Sequence, residues 1–187
     1  MKDVLDLIAS NRSYRRFSQS RRPTENELLA MINGARLSAS AGNLQRLRFT
    51  PIVKSEECDR VFDNIAFAAY FGTWRPTSDD QPTAYIVVWS EKEPDANLAI
   101  DAGIAAQSIL LVAREMGLGG CMFRSFKKSE LVESLGKDGF APVLVIALGE
   151  PSETVVLTDV KDGSVKYYRD ENGVHYVPKK SLDDIII

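Results

Sequence analysis

A chain of 187 residues, 44% hydrophobic and 26% charged, has the make-up of one soluble globular domain with room for a sizeable core. Its net charge of −3 argues against a nucleic-acid surface spread over the whole molecule. Two cysteines and a single histidine, His175, give no basis for a disulfide framework or a zinc site. The opening MKDVLDLIASNR is too short and too charged for a signal peptide, and no apolar run approaches a membrane span, so a reduced, cytoplasmic, single domain over 1–187 is expected.

In chain order, residues 3–12 place Val4, Leu5, Leu7 and Ile8 at helical spacing, which predicts a short first helix. The stretch NRSYRRFSQSRR (11–22) follows, with five arginines from Arg12 to Arg22. Thr24 with Glu27 three residues on is a capping box after Pro23. It opens a helix whose apolar stripe is Leu28, Leu29, Ile32, Ala35 and Leu37. Residues 48–55 read as a strand, with Pro51 marking an edge or an irregularity. SEECDRVFDNIAFAAYFG (55–72) reads as an amphipathic helix and TAYIVVWS (83–90) as a buried strand.

Residues 94–117 predict a long helix that is apolar on almost every face, from Leu98 to Met116, and so must be buried on most sides. At about 1.5 Å per residue it runs roughly 33 Å. A monomer core and a homo-oligomer contact are equally good ways of burying it; Ala102, Gly103, Ala105 and Ala106 would let another backbone approach. GGCMF (119–123) is a short strand, SELVESLG (129–136) a short helix and APVLVIALGEPS (141–152) a buried strand. VKYYRDENGVHYVP (165–178) predicts a hairpin turning at Asn172-Gly173. The tail SLDDIII is expected to pair with a sheet, in its own subunit or a partner. The order of elements indicates an α+β fold with one sheet.

No nucleotide-binding glycine motif, metalloprotease motif or nucleophile elbow is present. GLGG (117–120) stands where a helix C-cap belongs, Cys121 reads as a small core residue, and His175 as structural or exposed. Three features carry chemistry. RSYRR offers guanidiniums and a hydroxyl suited to a phosphate, an RNA-binding arm or solvated surface being the plain alternative. SASAGNLQ (38–45) offers backbone N–H groups, Asn43 and Gln45, or is simply a helix-terminating loop. PKK (178–180) adds Lys179 and Lys180.

In this order the three features resemble the nitroreductase family of FMN-dependent oxidoreductases, nearly end to end. NRSYRRF matches the family's Arg-Ser-x-Arg opening, and ARLSASAGNLQ its alanine-proline-serine-alanine-x-asparagine-x-glutamine loop. DAGIAAQSILLVAREMGLGG, PVLVIALGEP and PKKSLDDIII complete the likeness. The resemblance implies an α+β fold with a mixed, mainly antiparallel sheet flanked by helices, and an intertwined homodimer with FMN sites at its interface. It implies that Arg12, Ser13 and Arg15 hold the FMN phosphate and ribityl chain, with Arg16 nearby and Lys179 and Lys180 adding to the clamp. Ala39, Ser40, Asn43 and Gln45 would face the flavin from the partner subunit, and Met122, Phe123 and Arg124 would lie along its ring. NADH or NADPH would be the reductant, and a nitroaromatic, quinone or similar compound the acceptor, in a ping-pong cycle.

Three departures bear on the substrate pocket: Ala39 replaces the loop proline, Arg46 and Leu47 replace a proline and an aromatic, and the segment before TAYIVV is short. Other readings are a family member with a different reaction (flavin fragmentation or dehalogenation), a passive flavin-binding module, and an RNA-binding adaptor using the arginine arm. Arg21 and Arg22 have no match in the family pattern and are expected to be solvated surface.

Overall fold

The computed structural model describes residues 3–67, 69–91 and 93–187. Its centre is strand β5 (Ala141–Pro151), which pairs antiparallel along both edges. On one edge lies β3 (Ala84–Ser90), followed outward by β2 (Leu47–Ile52). On the other lie β1 (Phe17–Ser18) and β4 (Gly119–Phe123), which share β5 end to end. Pro51 is tolerated because β2 is the outer strand.

Strand alternation sends side chains to two cores. Ala84, Ile86, Val88, Leu144, Ile146 and Leu148 meet helices α2 (Glu25–Leu37) and α4 (Ala96–Glu115) through Leu28, Met31, Ala106 and Ile109. Tyr85, Val87, Trp89, Val145 and Ala147 meet α3 (Ser55–Asp63) and α5 (Lys128–Leu135) through Cys58, Val61 and Leu131. The Thr24 capping box is present, with the hydroxyl accepting from Glu27 N–H and the Glu27 carboxylate accepting from Thr24 N–H.

Several expectations are refined. Helix α1 spans only Val4–Ser10. The helix expected over 55–72 stops at Asp63; Asn64 forms its C-cap, and Ile65 then forms a bridge to Phe126. The apolar residues beyond serve aromatic contacts instead, Phe67 on Phe123 at 4.8 Å and Phe71 on Tyr167 at 5.1 Å. Helix α4 is apolar enough to cross a membrane by length and composition, contrary to the sequence expectation. It nevertheless packs eight residues, Asp101 among them, inside the domain. The hairpin is present, β7 (Tyr168–Arg169) against β8 (His175–Lys179), but it joins a second sheet in which β6 (Val155–Asp159) runs parallel to β8. The tail forms no strand, and Ile185, Ile186 and Ile187 are exposed in the single chain.

Arg21 and Arg22 are not idle surface. Arg21 donates to Glu27 at 3.0 Å and to the Met116 carbonyl at the end of α4, at 3.2 Å. Arg22 donates to Ser55 Oγ at the start of α3. Gly117 ends α4 with φ of 77°, as a C-cap should. The next two glycines serve close approach. A Cβ on Gly119 would lie 2.5 Å from the Tyr14 ring, and one on Gly120 would collide with the Ala147 carbonyl oxygen. Because that obstacle is backbone, Gly120→Ala is expected to cost about 1–3 kcal/mol, read as a lowered urea midpoint at unchanged slope; a wild-type midpoint would show that the strand pair can shift to make room.

Candidate functional site

The turn joining α1 to β1 is stitched to β4: Ser13 bridges Gly120, and Tyr14 N–H donates to the Gly120 carbonyl at 3.0 Å. Beside it opens a cavity of about 350 Å³. Arg12, Ser13 and Arg15 line it from the turn, Gln107 and Leu110 from α4, and Cys121 and Met122 from β4. Tyr167 and three residues of β8 close it. A smaller cavity of about 170 Å³, reaching Phe123 and Arg124, shares Arg15, Cys121, Met122 and Tyr167, so the two form one groove along β4.

The period of a strand decides which lysine takes part. His175, Val177 and Lys179 stand two apart in β8 and share the face that lines the cavity. Tyr176 faces the other way and stacks on Tyr168 at 5.2 Å. Lys180, past the strand end, is exposed and outside the cavity. Arg12, Arg15 and Lys179 thus converge without an acidic residue among those lining the cavity. Arg12 also donates to the Ile8 carbonyl at 2.9 Å, and burial lowers its pKa, with Tyr14 opposing the shift. Arg15 donates to the Ser13 carbonyl and lies 5.0 Å above the Tyr167 ring.

Arg16 goes elsewhere: its guanidinium pairs with Asp80 at 3.2 Å and lies over Trp74. What it shares with the site is backbone. Glu153, whose side chain is only 2% exposed, accepts the Arg15 N–H at 2.5 Å and the Arg16 N–H at 3.2 Å on one oxygen. Its other oxygen accepts from Arg169 at 2.8 Å and lies 3.8 Å from His175 Nδ1. Arg169 is held over Phe71 and Trp74. Burial by itself would raise the Glu153 pKa; His175, the Arg15 N–H and Arg169 outweigh it and hold the carboxyl at about 2. Sequence reasoning missed Glu153, Gln107 and Tyr167. It also took His175 for structural or exposed, although counting back by twos from Lys179 puts it on the cavity face.

The 38–45 loop lies elsewhere in the same chain. Ala39, Ser40 and Gln45 line a separate cavity of about 300 Å³, with Ile32, Leu47 and Phe49. The loop is tied down by Asp101 Oδ1, which accepts the Ala41 N–H at 2.8 Å. Gly42, Asn43 and Gln45 all have positive φ, which bends it tightly; Asn43 is exposed. Arg46 makes a bidentate pair with Asp95 at 2.7 and 3.0 Å, and Asp95 also caps α4 by accepting the Leu98 N–H. Arg46 first, then that N–H, hold the Asp95 carboxyl at about 2. Arg46 is therefore a loop anchor. Residues Asp101 and Ala105 of α4 face this cavity, and Gln107, about 200° further round the helix, faces the arginine cavity. Helix α4 stands between the two within one chain.

Burial raises both thiol pKa values, that of Cys58 to about 12. Among the described residues no group of three or more His, Cys, Asp or Glu is placed to hold a metal. The Glu153 shift has a defined consequence. A carboxyl held at about 2 in the fold, against an ordinary 4.5, stabilises above the ordinary value and is lost as pH falls from about 4.5 through about 2. The shift amounts to about 3 kcal/mol. Glu153→Gln is expected to flatten that acid limb in urea unfolding measured from pH 7 to 2; an unchanged limb would assign the acid sensitivity to other groups.

Comparison with known proteins identifies the family and the fold. The family model described as the nitroreductase family matches residues 8–150. A candidate NADH dehydrogenase/NAD(P)H nitroreductase of Archaeoglobus fulgidus is 28% identical over 175 residues, covering 91% of this chain and 88% of its own. One of the same description from Methanothermobacter thermautotrophicus is 27% identical over 168 residues, covering 86% and 83%. Among solved structures, a candidate nitroreductase of Exiguobacterium sibiricum in complex with FMN superposes with a TM-score of 0.69 at 18% identity, covering 100% of this chain and 97% of its own. A nitroreductase family protein of Streptococcus pneumoniae gives the same score and identity, covering 99% of each chain. The sequence match through the arginine turn, the loop, α4 and β5 establishes that this chain belongs to the nitroreductase family.

Proposed function

We propose that this protein is a cytoplasmic, FMN-dependent NAD(P)H oxidoreductase that passes hydride to an electron-poor acceptor such as a nitroaromatic or quinone, and that it works as a homodimer. The observation that carries the reading is the convergence of Arg12, Ser13, Arg15 and Lys179 on a cavity lined by no carboxylate. A phosphate dianion suits it, because guanidiniums offer paired donors in one plane. The FMN complex of the E. sibiricum protein and the NAD(P)H in its relatives' names point the same way.

The chemistry that bound FMN supplies is acceptance and donation of hydride. The chain's part is to hold and orient. Arg12, Ser13 and Lys179 grip the phosphate end, while Arg15, braced by Glu153 through its backbone, places positive charge further along. Beyond the Ser13–Gly120 bridge, β4 pairs among the described residues with β5 alone, so its outer edge along Met122, Phe123 and Arg124 would be open to the ring. No nucleophile is required, in keeping with the buried, un-ionised Cys121. Donor and acceptor share one groove and use it in turn.

The dimer is supported by what a single chain leaves undone. Helix α4 stands between the 38–45 loop and the arginine cavity, so Ala39, Ser40, Asn43 and Gln45 reach a flavin only if a second copy brings them. The face of α4 turned outward carries Ile100, Gly103 and Ile104, all exposed, next to α1 with Val4 and Leu5 exposed. Glycine weakens a helix interior by about 1 kcal/mol, and a Cβ on Gly103 would meet nothing in its own chain. Close approach of a second backbone accounts for it.

The purified protein is expected to be yellow, with about one FMN per chain and bleaching under anaerobic NAD(P)H; a preparation still colourless after incubation with FMN defeats the reading. Initial rates should give the parallel lines of a ping-pong scheme, and intersecting lines would require donor and acceptor to be bound together. Arg12→Ala and Arg15→Ala should each weaken FMN binding by about 1.5–3 kcal/mol, a charge-assisted contact, seen as flavin lost on dialysis. Gly103→Leu should give monomers in sedimentation with flavin content reduced; dimers of full flavin content would place the contact on another face.

A further inference from the structure

We propose that His175 is a direct ligand contact, hydrogen-bonding the ribityl-phosphate tail of the flavin through Nε2. The inference rests on the flavin reading of the cavity and adds to it a residue outside the clamp of arginines and lysine. His175 is 1% exposed and lines the cationic cavity; its Nδ1 faces the Glu153 carboxylate, and its Nε2 has no partner in the protein. Buried polar atoms without a partner are rare, because each has given up water for nothing. Glu153 Oε2 lies 3.8 Å from Nδ1, so that nitrogen is turned to the carboxylate and away from the cavity's other groups. That leaves Nε2 free to hydrogen-bond a hydroxyl or an anion.

The ring has little freedom to find a partner elsewhere. Its backbone N–H donates to the Thr154 carbonyl at 2.9 Å, and Phe71 and Tyr167 pack on it at 5.5 and 5.3 Å between centroids. It shares a strand face with Lys179, so the two residues sit along one line of the cavity wall. It does not line the smaller cavity that runs along Phe123 and Arg124, which favours the polar tail over the ring.

The test titrates the full-length, flavin-free chain with FMN, with riboflavin, which lacks the phosphate, and with lumiflavin, which lacks the whole tail. His175→Phe keeps the aromatic packing and removes both nitrogens; it should bind FMN roughly tenfold more weakly, as for one lost hydrogen bond, and lumiflavin as the wild type does. His175→Gln, which restores a donor and an acceptor, should recover part of the loss. A fall in the FMN-to-riboflavin ratio puts the contact on the phosphate, and a fall in the riboflavin-to-lumiflavin ratio puts it on a hydroxyl; either supports the proposal. Wild-type FMN affinity in His175→Phe overturns it, as does an equal loss for lumiflavin. If the phenyl ring is not tolerated beside Glu153, His175→Leu makes the same comparison. A wild-type chain that binds FMN no more tightly than lumiflavin would instead defeat the flavin reading itself.

Discussion

A single buried carboxylate organises the site. Glu153 accepts two consecutive backbone N–H groups from the arginine turn and a guanidinium from β7, and no bulk water competes for it. An unpaired buried carboxylate would be very costly, so the arrangement stands or falls as a unit. Its effect is a division of labour. The Glu153 negative charge is satisfied by backbone and by Arg169, and it does not neutralise the side chains of Arg12 and Arg15. A cluster of cations can then stay available to a ligand inside a chain of net negative charge. The region after residue 150, where the family match ends, contributes Glu153, Arg169, His175 and Lys179, so this part of the chain belongs to the site as much as the matched part does.

A second constraint is proximity of backbones. The arginine turn reaches β4 only because residues 119 and 120 have no side chain, and β1 reaches β5 in the same way at Gly149, where a Cβ would lie 2.7 Å from the Phe17 ring. The groove is therefore built from main chain on one side and from cationic and aromatic side chains on the other. The aromatic side is a joint construction. Phe71 and Trp74, from the short segment before β3, pack against Arg169 and His175 of the second sheet and Tyr167 just before it.

Much of the fold was legible because its signals are local. The Thr24 capping box, the continuous apolar run of β3 and the Asn172-Gly173 turn each depend on residues within a few positions of one another. The longer reach of 55–72 as a helix failed for the opposite reason: the apolar spacing of Ile65, Phe67 and Phe71 is real, but their partners are Phe126, Phe123 and Tyr167, far along the chain. The site was legible where a motif is contiguous, as in Arg12, Ser13 and Arg15. It was not legible at Glu153, since nothing near that residue in the sequence announces a contact with Arg15. Arg16 was expected near the clamp, and only the fold shows that it pairs with Asp80. Lys179 and Lys180 were separable in principle, once β8 is known to alternate.

The cavity draws its walls from opposite ends of the chain, Arg12 to Arg15 on one side and His175 to Lys179 on the other. The central sheet, by contrast, is complete once β5 has been made. A nascent chain therefore passes through a stage in which its core strands are all available while its anion site has only one wall, and the arginine turn lacks the carboxylate that braces it. A ligand bound there, as proposed, would tie the arginine turn to β8 and so resist the opening motion by which the second sheet would come away from the first.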